Sequence, residues 1–164
     1  MNRTCTWVIL EDLETGFCYV HMNCHLDWMD TSVNLIQAKM MREMMNRFAS
    51  MGYPVFTTGD FNTKENSASY LQILSSNLIK DSKKLAKRTD YTPTHGSSTI
   101  DYCFVTGANM TVEEYDVIPN VHDGVEVSDH SGVFVRATAS PGVAARASAA
   151  VAVVVSGRDR SYFE

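Results

Sequence analysis

The residues that could do chemistry sit where apolar runs end or are interrupted. "NCHLDW" (23–28) follows one such run and offers Asn23, His25 and Asp27. "GDFN" (59–62) closes another, with Asp60 and Asn62 on either side of a phenylalanine. Asp101 interrupts "TIDYCFV", "SDH" (128–130) sets Asp129 beside His130, and the loop "TPTHGSS" carries His95. Taken singly, each has an ordinary explanation. Gly-Asp at a strand end opens turns, because aspartate hydrogen-bonds its own backbone. A single histidine is commonly a packed, hydrogen-bonded side chain, and His95, among Gly, Ser and Thr, is a loop residue with at most a substrate contact. Asp101 is harder to set aside, since a buried ionised carboxylate is costly unless partnered. Its spacing leaves two readings open: a pairing with a histidine, as in Asp–His pairs that orient an imidazole, or a hydrated strand end. As a set, these aspartates, histidines and asparagine are oxygen-rich and free of cysteine, which suits Mg²⁺ or Mn²⁺. With histidines as proton carriers, the inventory matches metal-assisted phosphoester hydrolysis.

The elements that must hold these residues can be read from periodicity. Cys5–Glu11 and Phe17–Asn23 read as strands joined by the polar "DLETG", a hairpin. Thr31 to Ser50 reads as a helix: Ile36, Met40, Met44 and Phe48 recur every four residues, with Val33, Met41 and Met45 widening the stripe. Thr31 or Ser32 can cap it, and Gly52 and Pro54 stop it. Val55–Thr58 reads as a buried strand ending at Gly59, and a second helix runs from about Ser67 to Ser75 under a cap at Asn66 or Ser67. Thr99–Val105, "TVEEYDVI" and Val133–Thr138 read as strands. Helices and strands alternate early and strands dominate late, so the fold class is α/β (α+β) with a mixed sheet. The Ala/Val-rich stretch 138–164 lacks polar–apolar alternation, reads as a short helix or a loose tail, and receives no function.

Bulk properties narrow the partners. The length of 164 residues supports one domain with a sizeable core. A formal charge of -5 argues against a dedicated nucleic-acid surface. The one basic cluster, Lys83, Lys84, Lys87 and Arg88, reads as a solvated face. Cys5, Cys18, Cys24 and Cys103 form no CxxC pair, which speaks against a zinc cluster and favours a reducing compartment. No transmembrane stretch or signal-peptide pattern is visible.

The ordered series "NCHLDW", "GDFN", "STIDYCFV" and "VSDHSGVFV" resembles the endonuclease/exonuclease/phosphatase (DNase I-like) superfamily across roughly residues 3 to 137. The resemblance implies a four-layer sandwich, two mixed sheets between helices, of which this chain supplies the C-terminal part. It also implies roles. His25 contacts the scissile phosphate and can act as an acid, and Asp60 orients or deprotonates the attacking water. Asn62 holds the phosphate, and Asp101 hydrogen-bonds His130. Asp60, Asn62 and Asp129 lie at the metal, Mg²⁺ or Mn²⁺. Asn23, in the motif of His25, joins Asn62 and His95 as a substrate contact. Cys24 replaces the usual threonine, and Ser131-Gly132 the usual aromatic-proline pair. Family members open with an asparagine-bearing strand and a later metal-ligating glutamate. Here "MNRTCTWVILED" resembles the middle of the domain, so the expectation is an N-terminally truncated member whose missing part could have held a signal peptide.

The expected function is therefore hydrolysis of a phosphodiester or phosphomonoester by in-line attack of water. A small or lipid phosphoester is favoured over nucleic acid, whose phosphates are contacted by Lys and Arg. The alternative is an inactive fragment acting as a binding module, with self-association through an exposed sheet face.

Overall fold

The structure, a computed structural model, describes residues 3–89, 93–106 and 110–139, together with the backbone of 149–155. Strands β1 (Cys5–Glu11) and β2 (Cys18–His25) form an antiparallel hairpin. Helix α1 (Thr31–Ser50) then carries the chain back, so that β3 (Val55–Asp60) lies parallel to β2. Helix α2 (Ala68–Leu74), strand β4 (Ile79–Asp81), the short helix α3 (Ser82–Leu85) and strand β5 (Arg88–Thr89) follow. Beyond them lie β6 (Asp101–Thr106), β7 (Met110–Ile118), β8 (Val121–His122), β9 (Val125–Glu126), β10 (Gly132–Ala139) and β11 (Ala149–Val155).

Two mixed sheets result, in orders β1-β2-β3-β6-β4 and β11-β10-β7-β5. Strand alternation gives the first sheet two different faces. Val20 and Met22 of β2, Phe104 of β6 and Phe61 beyond β3 pack against Met41 and Met45 of α1. From the opposite face, Phe56 and Val105 meet Val112, Tyr115, Val133 and Val135 of the second sheet. The layers are thus helices, sheet and sheet. The outward residues of β10, Phe134, Arg136 and Thr138, stay partly or fully exposed.

Several elements differ from expectation. Asp30, rather than Thr31 or Ser32, caps α1: its carboxylate accepts from the Ser32 and Val33 amides at 2.8 and 3.2 Å. The buried stripe of α1 is Asn34, Ala38, Met41, Met45 and Phe48, whereas Ile36 and Met40 are 60% and 63% exposed. A strict four-residue repeat drifts ~40° per step around a helix, so a stripe begun at Phe48 has rotated off the core by Ile36. Within 138–164, residues 149–155 pair antiparallel with β10 as a strand, from Val133↔Val155 to Ala139↔Ala149. A β-branched run added at a sheet edge needs no polar–apolar alternation to be a strand. The rest of that stretch, 140–148 and 156–164, lies outside the described residues.

Lys84, Lys87 and Arg88 of the basic segment stay exposed, as on a solvated face, while Lys83 is buried. Lys83 and Lys84 both pair with Glu65, Lys87 with Glu113, and Arg88 with Glu114. Burial opposes ionisation of Glu65, but the hydrogen bonds from the two lysines outweigh it and hold its carboxyl below the usual range. Among the described residues, no helix is long and apolar enough to cross a membrane.

Candidate active site

Strand register brings the motif residues together. Parallel pairing sets His25 opposite Asp60, and antiparallel pairing sets Asp60 opposite Asp101. Residues directly opposite share a face, so the three side chains form a row across β2, β3 and β6 at one end of the sheet. Backbone bonds extend the register past the strand ends: the Leu26 amide donates to the Asp60 carbonyl and the Phe61 amide to that of Ile100, both at 2.9 Å.

The "GDFN" turn splits its residues between the two faces. Phe61 is fully buried on the helix side, edge-on to Phe104 at 4.9 Å. That anchor leaves Asp60 on the other face, where its Oδ1 accepts from the Asn62 amide at 2.8 Å. Asn62 adopts φ 47, a left-handed conformation that asparagine tolerates. Its side-chain amide donates to the Leu26 carbonyl at 3.0 Å, which locks "GDFN" to "NCHLDW". At Gly59, φ is +137, and a Cβ would lie 1.9 Å from the Cys24 carbonyl oxygen, so only glycine allows this approach of β3 to β2.

Asp101 is buried, and its Oδ2 lies 2.8 Å from His130 Nδ1. That contact fixes the ring and presents its far nitrogen outward. His25 Nε2 stands 3.4 Å from Asp60 Oδ2. Ligand atoms of Asp60, Asp101 and His130 all lie within 4.8 Å of one another. Burial, and then the Asp101 carboxylate, push the Asp60 carboxyl above its usual range, against the Asn62 amide and the two histidines. A raised carboxyl among acceptor oxygens is where a cation would be welcome, so this donor set fits a divalent metal ion.

The remaining residues border the row or turn away from it. Asp129 groups with His95 and His130, again within 4.8 Å. The His95 ring lies 4.4 Å from that of His130, centroid to centroid, and 3.9 Å separates His95 Nε2 from Asp129 Oδ2. Asn23 is exposed on the face of the row, donating to Thr58 Oγ1 at 3.0 Å. His21 Nε2 shares that hydroxyl at 3.0 Å, and burial lowers the pKa of its ring. Asp27 turns to its own loop, accepting from the Met29 and Asp30 amides at 2.8 and 3.0 Å, which depresses its carboxyl.

Three supporting residues were not singled out in the sequence. Asn34 is buried on α1 and donates to the Asp27 and Phe61 carbonyls at 2.7 and 2.9 Å, tying both site loops to one helix. Gln37, one turn on, accepts from the Asp27 amide at 2.8 Å. Thr94 Oγ1 accepts from the Ile100 and Asp101 amides at 3.1 and 3.2 Å. The signal available for Asn34 and Gln37 was a polar pair on a core-facing helix, visible only once the stripe was placed correctly.

An α/β sandwich with a carboxylate–imidazole row at its strand ends defines the class. The chain belongs to the endonuclease/exonuclease/phosphatase family, whose model matches residues 5–130. Among solved structures, it resembles a mannosyl-6-phosphatase of Bacteroides thetaiotaomicron at 24% identity and TM-score 0.72, covering 82% of this chain and 57% of that one. An endonuclease/exonuclease/phosphatase from Bacteroides vulgatus matches at 26% identity and TM-score 0.70, covering 79% and 52%. The human Nocturnin catalytic domain, with a bound sulfate anion, matches at 19% and 0.66, covering 84% and 53%. The chain thus spans little more than half the length of these structures. Among curated proteins, none matches it.

Proposed function

We propose that this chain carries the phosphate-handling residues of a metal-dependent phosphoester hydrolase. The observation that supports this best is the buried Asp101–His130 pair, 2.8 Å apart, beside a carboxylate whose proton affinity is raised by burial. Asp60 takes a proton from the attacking water, a role its place in the row between His25 and Asp101 suits. As the oxygen–phosphorus bond forms, the bond to the leaving oxygen breaks in line, and His25 donates a proton to that oxygen. His130, held by Asp101, stabilises the charge gathering on the phosphoryl oxygens. Asn62, its side-chain amide engaged with Leu26, fixes the turn from which it and Asp60 face phosphate and metal. Asp60, with Asn62, would hold Mg²⁺ or Mn²⁺, which neutralises phosphoryl charge and acidifies water when bound. Asn23 and His95 border the substrate.

A small or lipid phosphoester is the preferred substrate, because each cation of the 83–88 segment already faces a glutamate. Mg²⁺-dependent release of nitrophenol from bis-p-nitrophenyl phosphate and from p-nitrophenyl phosphate tests the reading. His130→Ala and Asp60→Ala should each cost on the order of a hundredfold or more. Turnover that survives both substitutions would falsify it. The rival reading, a binding module without turnover, draws on the nearly continuous exposure of β1 along the sheet edge. It predicts no hydrolysis and self-association detectable by sedimentation.

A further inference from the structure

We propose a second cation site, built by His95, Asp129 and His130 and selective for an imidazole-preferring ion such as Zn²⁺ or Co²⁺. It adjoins the centre proposed above but does not depend on hydrolysis. The ligand atoms of the three residues lie within 4.8 Å of one another, a spacing one ion can bridge. Two imidazoles and one carboxylate suit borderline transition ions, whereas the oxygen-rich set around Asp60 suits Mg²⁺. The two groups share His130 and otherwise differ, so ligand chemistry separates the ions they prefer.

The site is held from behind. Asp101 fixes His130 through Nδ1 at 2.8 Å, the arrangement in which a carboxylate orients a metal-ligating histidine. The His95 loop is equally constrained. His95 and Ser98 exchange backbone hydrogen bonds, each at 2.9 Å, which closes a tight turn. The Ser131 amide donates to the Thr94 carbonyl at 2.7 Å, joining this turn to the segment that carries Asp129 and His130. Thr94 itself is 1% exposed and receives the Ile100 and Asp101 amides on its hydroxyl. One buried threonine therefore sets the spacing between His95 and the Asp101–His130 pair. A plain ion pair would be the simpler account of His95 and Asp129, but at 3.9 Å between half-exposed side chains it would contribute little.

Calorimetric titration of the metal-free chain with Zn²⁺, and the ring-nitrogen NMR signals of its histidines, test the proposal. Zn²⁺ should shift the His95 and His130 rings together. His95→Ala and Asp129→Asn should each weaken Zn²⁺ by about tenfold or more, the scale set by loss of supporting groups around metals. Asp60→Asn should weaken it less than either. The His95 side chain is half-exposed, so its removal should leave the fold intact. Unchanged Zn²⁺ affinity in His95→Ala, or ring shifts confined to other histidines, overturns the site. These readouts never involve turnover, so this site and the hydrolase reading can fail separately.

Discussion

Strands β6 and β1 belong to the same sheet and share almost nothing else. All of β6 is buried, with α1 and α2 on one side and the second sheet on the other. β1 is exposed along nearly its whole length, and Trp7 reaches the helix layer against Phe48 at 5.0 Å. Between them, β2 and β3 pass from single to double cover. The carboxylate–histidine row runs across this gradient, with Asp101 at the buried end and His25 toward the open one. One end can therefore hold a desolvated Asp–His pair while the other remains reachable by substrate.

The steepest test of this contrast is packing. Phe104→Ala should cost about 3–5 kcal/mol in urea denaturation, the range for a large aromatic lost from a tight core. A cost near zero would mean that β6 is not enclosed on both faces. Asn34→Ala should cost about 1–3 kcal/mol, because it strips the Asp27 and Phe61 carbonyls of their shared donor. Its effect should concentrate in the two site loops, read as faster amide exchange there than in α1.

Asp60 probes the middle of the gradient. A carboxyl raised on folding favours the folded state while protonated, and loses that contribution as pH climbs through its folded value. Metal-free Asp60→Asn should then be more stable than the parent at neutral pH, with the gap shrinking below the ordinary carboxylate range. An equal gap at both pH values sinks the idea. At the open end, Val8→Ala should change stability by no more than about 0.5 kcal/mol, since Val8 is 44% exposed on a singly covered strand.

What could be read in advance follows the same gradient of locality. "GDFN", "TIDYCFV" and "SDH" were visible because each motif and its strand are continuous in sequence. That they meet at one sheet edge could be read only from the set and the resemblance, and the direct pairing of Asp60 with Asp101 could not, because it depends on antiparallel register between β3 and β6. Asn34 looked like an ordinary helix residue until the true stripe of α1 placed it against two loop carbonyls. β4 and β5 were too short to carry a period, and β11 draws its partner from β10 rather than from its own pattern. His95 had the weakest local signal and the richest surroundings, since its neighbours arrive through Thr94 and Ser131.

Gly59 has a consequence for how this sequence can change. The Cys24 carbonyl oxygen occupies the space a methyl group would need, so the constraint falls on backbone and not on reactivity. A library saturating residues 58–62, selected only for soluble folded protein, should return glycine at 59 almost without exception. Asp60, which burial makes uncomfortable, should drift freely in that selection. Glycine would then mark the architecture and aspartate the activity, two neighbours retained for different reasons and separable by the pressure applied.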